Sequence, residues 1–386
     1  KRQAWAAAGR AVLDEWERPA EGAPDLGPWM GAVGSLRPAA ADQRRGTVWV
    51  TALETLSKCP WQHVLRRVLR LEPLPDPLET LPLLDPLTVG NVVHAVLERI
   101  AVEAVGRRGG RLEERLGQTP TEAPWPDTET LGRWSHEAAA AVLLEEGRIL
   151  PGLAHALATR ARPYLEVARQ ELWKHGAPKV LGAELTGEMR LDPPGAPALT
   201  LGFRADMVES RDEGLRCIDF KTGASFSRKV KAEGRREDLH RGIASGLHLQ
   251  GFLYALAVTG LDPGSGPARG AYLHLRDDKD PRTRWMEVRA DDATAGRRFL
   301  DAIGVLERAR RRGLLPPRLT DPAGRKENGA CAWCPVAAAC VRGESQARRR
   351  ELTFFEELRR RREEELPLDA DQELLLDLWE LPEGML

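Results

Sequence analysis

Residues 201–223, LGFRADMVESRDEGLRCIDFKTG, leave this chain few folds to choose from. Two short apolar segments, each ending in a carboxylate, flank an Arg-Asp-Glu-Gly turn, so the stretch reads as a β-hairpin. Side chains alternate along a strand, which puts Asp219 and Lys221 on one face and Phe220 on the other. Asp206, at the end of the preceding strand, then lies across from Asp219. Two carboxylates and an amine on one sheet face suit a hard cation with a general base or water-orienting amine beside it. A bare D-x-K is equally a strand end next to a turn. The chain has nine lysines against forty-eight arginines. A lysine at this position therefore favours a role that a permanently charged guanidinium cannot fill.

The rest of the chain narrows the setting. At 386 residues it can bury a sizeable core. A net charge of -1 excludes a uniformly basic nucleic-acid coat but allows a local basic channel. No apolar run reaches the length of a membrane span and no signal peptide opens the chain, so a soluble, cytoplasmic protein without membrane contact is expected. A Gly-Lys dipeptide is missing, which excludes a P-loop and places any nucleotide-driven motor on another polypeptide. The start at Lys1 and the Pro/Gly-rich stretch after a first helix suggest a segment of a longer chain. Five cysteines argue against a disulfide framework, and the C-x2-C-x5-C spacing of Cys331, Cys334 and Cys340 argues for a metal.

Taken in order, 1–46 reads as a connector and Thr47–Val50 as a short strand. Thr51 is the expected N-cap of a helix with Glu54 three residues on. An amphipathic helix follows Ser57-Lys58-Cys59-Pro60 to about Leu71, and 72–87 reads as a crossing loop. Thr88 opens a helix with an apolar stripe at Val89, Val93, Val96, Leu97 and Ile100, with His94 and Glu98 on its edge. After a polar loop at 106–126, two helices are expected at about 127–148 and 151–174. Strands begin at Val180–Met189, which carries Glu184, and continue through the hairpin. A loop crowded with Arg228, Lys229, Lys231, Arg235, Arg236 and Arg241 comes next, either a solvated face or a phosphate-binding channel. A helix over Ser245–Val258 puts Gln250 and Tyr254 on one face. Strands at about 270–275 and 284–288, a helix over 291–313, the cysteine segment and a solvated helix over 345–365 complete the chain.

His94 in GNVVHAVLE, Glu184, Asp206 in LGFRADMVE, Asp219 and Lys221 in IDFKTG, and Gln250 with Tyr254 in LQGFLYAL resemble, in that order, the RecB-like branch of the PD-(D/E)xK nucleases. The likeness spans about Val48 to Val341. It implies an α/β (α+β) restriction-endonuclease-like core, a mixed central sheet flanked by helices, with a helical insertion at about 106–175, a catalytic core at about 180–290 and a helical tail at 342–386. It also implies that His94, Asp206, Asp219 and the Phe220 carbonyl hold Mg2+ or Mn2+. Lys221 would orient or deprotonate water, Glu184 would support the site, and Gln250 and Tyr254 would position the strand and the lysine. With Cys59 in a Ser-x-Cys-Pro context, Cys331, Cys334 and Cys340 resemble the iron-sulfur-stapled subset represented by the AddB nuclease subunit and the CRISPR-adaptation exonucleases. Four cysteines would also accept zinc; the resemblance implies a [4Fe-4S] cluster. Cys217, inside a strand, reads as a small buried hydrophobe.

The implied activity is exonucleolytic hydrolysis of DNA, with single-stranded DNA as the expected substrate, in double-strand break repair and recombination beside an AddA-type helicase partner. The alternatives are a free-standing exonuclease of the CRISPR-adaptation kind and a catalytically silent DNA-binding module of the same fold.

Overall fold

A long hairpin forms the middle of the sheet. The computed structural model describes residues 26–27, 30–35, 46–72, 84–148, 150–277, 280–321 and 326–382. Its strands are β1 (Val48–Trp49), β2 (Thr121–Glu122), β3 (Lys179–Leu191), β4 (Leu199–Arg211), β5 (Gly214–Lys221), β6 (Arg269–His274) and β7 (Trp285–Arg289). Its helices are α1 (Val50–Lys58), α2 (Pro60–His63, continued as a π turn over Val64–Val68), α3 (Pro86–Val105), α4 (Leu112–Arg115), α5 (Thr128–Glu145) and α6 (Leu153–Leu172). They continue with α7 (Ala232–Ala244), α8 (Gln250–Leu261), α9 (Ala293–Arg312), α10 (Ser345–Glu363) and α11 (Ala370–Glu380).

The strands run in the order β2-β3-β4-β5-β6-β7, and β1 pairs in parallel with β4. The β5–β6 pair is also parallel, while β3–β4, β4–β5 and β6–β7 are antiparallel. This mixed sheet flanked by helices is the expected architecture. The hairpin turns at Arg211↔Gly214, and Gly214 has the positive φ that such a turn requires.

One edge of β4 has two partners. Its first half pairs β1 through Val48↔Leu201 and Trp49↔Gly202, and its second half pairs β5 from Met207↔Ile218 onward. The sheet forks between them, at Asp206.

Two apolar clusters cover the two faces. One joins α1, α8 and α9 to the sheet through Leu53, Leu56, Phe252, Leu253, Phe299 and Ile303. The other joins α3, α5 and α6 through Val93, Val96, Leu97, Leu143 and Leu165. Helices α3, α5 and α6 thus form the lining of one sheet face. Close backbone approach sets the position of α8: a Cβ at Gly270 of β6 would lie 1.6 Å from the Gly251 carbonyl oxygen. Gly270→Val is expected to cost about 3 kcal/mol or more, read as a drop in the urea midpoint, because backbone rather than a flexible side chain blocks it.

Several expectations need correction. The helix at 50–58 starts after Trp49, so Thr51 is no cap, and Glu54 turns elsewhere. The helix after Cys59 ends at Val68 in a π turn. The segment at 73–83, most of the expected crossing loop, lies outside the described residues, as does most of the connector. The basic loop is helical from Ala232, because Leu239 and Ile243 bury one side of a charged segment. The tail helix is not simply solvated: Phe354, Phe355 and Leu358 of α10 pack with Leu374, Leu376 and Trp379 of α11 in a third cluster that also holds Leu26 and Met30. Among the described residues no helix is long and apolar enough to cross a membrane.

Candidate active site

The fork at Asp206 creates the site. Along β4, Leu201, Phe203 and Ala205 join one face cluster, yet Met207 joins the opposite one and Val208 returns to the first. The alternation slips by one residue at Asp206. Along β3, Ala183 and Leu185 likewise fall in opposite clusters, with Glu184 between them at φ 54°. A glutamate in the left-handed region is strained by about 1–3 kcal/mol, and such strain gathers at functional sites. The rung between Ala183↔Met207 and Leu185↔Ala205 is therefore twisted, and it carries both acids.

Past Ile218 the β4–β5 ladder opens, and the freed Phe220 amide donates to Asp206 Oδ2 at 2.7 Å. In a strand the carbonyl of a residue points to the same side as its N–H, so the Phe220 carbonyl also faces the fork. From α3, His94 Nδ1 lies 3.4 Å from Asp206 Oδ2. α3 comes this near because residue 90 is glycine; a Cβ there would lie 2.8 Å from Thr222 Oγ1. His94, Glu184 and Asp206 each offer a ligand atom, all within 4.8 Å of one another. An imidazole and two carboxylates so placed fit a hard divalent cation.

Asp219 is not in that trio. It is 3% exposed and faces α8, where its Oδ2 lies 2.5 Å from Lys221 Nζ and its Oδ1 accepts from Gln250 Nε2 at 3.0 Å. Gln250 Oε1 accepts from Lys221 Nζ at 3.3 Å, so one side-chain amide holds both residues. Its Nε2 also donates to Tyr254 Oη at 2.8 Å, and Tyr254 donates to the Arg204 carbonyl of β4 at 2.8 Å. The chain of bonds from α8 thus spans the fork from β5 back to β4. Asp219 and Lys221 share a face as expected, whereas Asp206 sits edgewise in the split.

Charges in the site control one another. Burial pushes the Asp219 carboxyl up, against the pull of Lys221. Asp206 is also buried, but the His94 hydrogen bond and charge, the Phe220 amide and Lys221 together hold it below the usual carboxylate range. Burial works against the Lys221 ammonium, yet Asp219, Glu54 and Asp206 raise it, so the amine is held charged. Glu184 is pushed up by burial and by the charge of Asp206, and it pairs with Arg204 Nε at 2.8 Å. Glu98, one turn from His94, is taken up by Arg108 at 2.5 Å.

The family of the chain accords with a nuclease fold. A model described as the PD-(D/E)XK nuclease superfamily matches residues 48–341. The chain belongs to the PD-(D/E)XK nuclease superfamily. No curated protein matches it significantly. Members of this superfamily are nucleases that use divalent metals, and the His94, Glu184 and Asp206 trio could hold one in this chain.

The basic residues divide. Lys229 pairs with Asp238 at 3.1 Å, Arg236 with Asp292 at 2.8 Å, and Arg241 with Asp238. Arg235 donates to the Val230 carbonyl. Arg228 and Lys231 are exposed and have no carboxylate partner among the described residues. The four cysteines do come together: Cys59, Cys331, Cys334 and Cys340 line one pocket with Trp61, Arg318 and Arg342. Burial and the neighbouring sulfurs push the Cys331 thiol up to about 12, and burial takes Cys340 to about 11. Cys217 is fully buried, as expected of a small hydrophobe.

One residue near the site has a role that the sequence reading missed, since spacing offered it only as the capping partner of Thr51. Glu54 of α1 is pushed up to about 7 by burial, against Lys221 and two backbone amides. Its partners lie in α8, and no local spacing signals them.

Proposed function

We propose that this chain is a Mg2+- or Mn2+-dependent deoxyribonuclease that digests single-stranded DNA from an end. In this reading it is the nuclease domain of an AddB-like helicase-nuclease in double-strand break repair, with an AddA-type motor as partner. The observation that carries the reading is the Gln250 amide holding Asp219 and Lys221 beside the His94, Glu184 and Asp206 trio. The intact set favours an active enzyme over a silent binding module.

His94, Glu184 and Asp206 would hold the cation, with the Phe220 carbonyl facing the same fork and Asp219 at its border. When bound, Mg2+ or Mn2+ supplies Lewis-acid stabilisation of the phosphate and lowers the pKa of water. The protein does the rest. Lys221, held charged, donates hydrogen bonds to the attacking water and to the phosphate oxygens as negative charge grows there. It is a donor in this setting rather than a base. Its side chain is 37% exposed, so substrate can reach it. Gln250 fixes the direction of that amine, and Tyr254 fixes Gln250. Arg228 and Lys231 would meet the DNA backbone, with Lys229, Arg235 and Arg236 joining where DNA phosphates displace their present partners.

Cys59, Cys331, Cys334 and Cys340 would hold a [4Fe-4S] cluster that staples the two ends of the core. Tetrahedral zinc at about 2.3 Å from each sulfur needs thiolates about 3.8 Å apart. Four thiols gathered in one pocket would accept either group; their resemblance to the iron-sulfur-stapled subset favours the cluster, whose cysteines bind separate irons. Hydrolysis moves no electrons, so the cluster would be structural. Cysteines free of disulfides fit a cytoplasmic setting.

The test uses protein stripped with a chelator. With Mn2+ or Mg2+ restored, end-labelled linear single strands should be degraded and circular single strands should survive. Degradation in chelator would overturn the metal requirement, and equal loss of circles would overturn the need for an end.

A further inference from the structure

The catalytic helix α8 lacks a cap of its own: its N-cap is Leu249, which offers no side-chain acceptor. The first turn of any helix leaves amide groups unsatisfied and partially positive. Here the acceptor comes from 195 residues earlier. Glu54 Oε1 receives the Leu249 amide at 2.7 Å and the Gln250 amide at 3.2 Å. Gln250 is the residue whose side chain holds Asp219 and Lys221, so Glu54 grips the backbone of the residue that arranges the site. A second contact braces the same strap. Ser57 Oγ, one turn further along α1, donates to the Ser245 carbonyl at the end of α7 at 2.5 Å.

We infer that Glu54 is a positioning residue for the nuclease reaction, acting through α8 as a cap supplied from α1. The inference rests on the nuclease reading above. Glu54 touches neither substrate nor cation ligands; it sets where the Gln250 side chain begins. α1 runs straight into Cys59, so the same helix joins the cysteine pocket to Gln250.

The experiment compares Glu54→Ala, Glu54→Gln and Glu54→Asp with the native chain on single-stranded DNA. A glutamine oxygen still accepts both amides; an aspartate, one methylene shorter, does not reach them. Glu54→Ala and Glu54→Asp are expected to lower kcat about 10- to 100-fold with KM for DNA little changed, since a misplacement of about 1 Å suffices for that loss. Glu54→Gln should keep kcat within about threefold of native, as the acceptor is retained. Native kcat in Glu54→Asp overturns the inference, and so does a Glu54→Gln as slow as Glu54→Asp, which would mean that the charge itself acts. Should Glu54→Ala fail to fold, the Gln and Asp pair decides. Amide hydrogen exchange at Leu249 and Gln250 separates the inference from the nuclease reading. Fast exchange in Glu54→Asp but not in Glu54→Gln supports the cap even if no DNA is cut, and native protection in Glu54→Asp overturns it.

Discussion

Lys221→Ala is expected to slow single-turnover cleavage of DNA about 10³-fold, the scale of losing one donor aimed at developing charge. Lys221→Arg should not rescue it, because a planar guanidinium cannot occupy the pocket between Asp219 and Gln250 as a compact ammonium does. The same variant has a stability signature. Removing the amine leaves Asp219, 3% exposed, with Gln250 as its remaining side-chain donor, so Lys221→Ala should lose about 2 kcal/mol in a urea titration. Adding Asp219→Asn removes the stranded charge and should restore most of that loss while the enzyme stays inactive. A Lys221→Ala protein that cuts within tenfold of native would remove the lysine from the mechanism. A double variant no more stable than Lys221→Ala would refute the burial argument.

Cys334→Ser should yield a protein that comes off an anaerobic purification without yellow-brown absorbance and melts about 10 °C or more below native. Cys334 and Cys340 pack against the main cluster together with Cys59, so whatever bridges these sulfurs contributes folding energy directly. Full colour and an unchanged melting temperature in the variant would exclude the bridge. A colourless native protein carrying one zinc would replace the cluster with zinc.

The hairpin was legible because its signals are local: an alternating apolar pattern and a turn sequence at Arg211–Gly214. Gln250 and Tyr254 were legible through helical spacing, and that spacing does put them on one face with their side chains bonded. Period-two reasoning fails at Asp206 and Glu184 because the alternation itself slips there, where one edge of β4 passes from β1 to β5 as its partner. α7 was read as loop because its charged residues outnumber Leu239 and Ile243, the two that bury it. The tail was read as solvated for a similar reason: Arg and Glu blocks surround Phe354, Phe355 and Leu358, whose partners come later in the chain and, as Leu26 and Met30, from far earlier. Spacing offered Glu54 only as the capping partner of Thr51, because its acceptor role is set by the Leu249 and Gln250 amides nearly two hundred residues on.

The gathering of Cys59 with Cys331, Cys334 and Cys340 has a consequence for synthesis on the ribosome. Chains emerge from the N-terminus, so His94, Asp206, Lys221 and Gln250 leave the exit tunnel before the last three cysteines exist. Until then α1, which carries Glu54 and runs into Cys59, has none of the three cysteines that share the pocket with Cys59. Closing so long a loop costs little more than closing one half its length, about 0.6 kcal/mol per doubling, so the late arrival of Cys331 carries only a small entropic penalty. The order of emergence thus places the pocket late, and a product truncated before Cys331 would hold the candidate hydrolytic residues with only one of the four gathered cysteines.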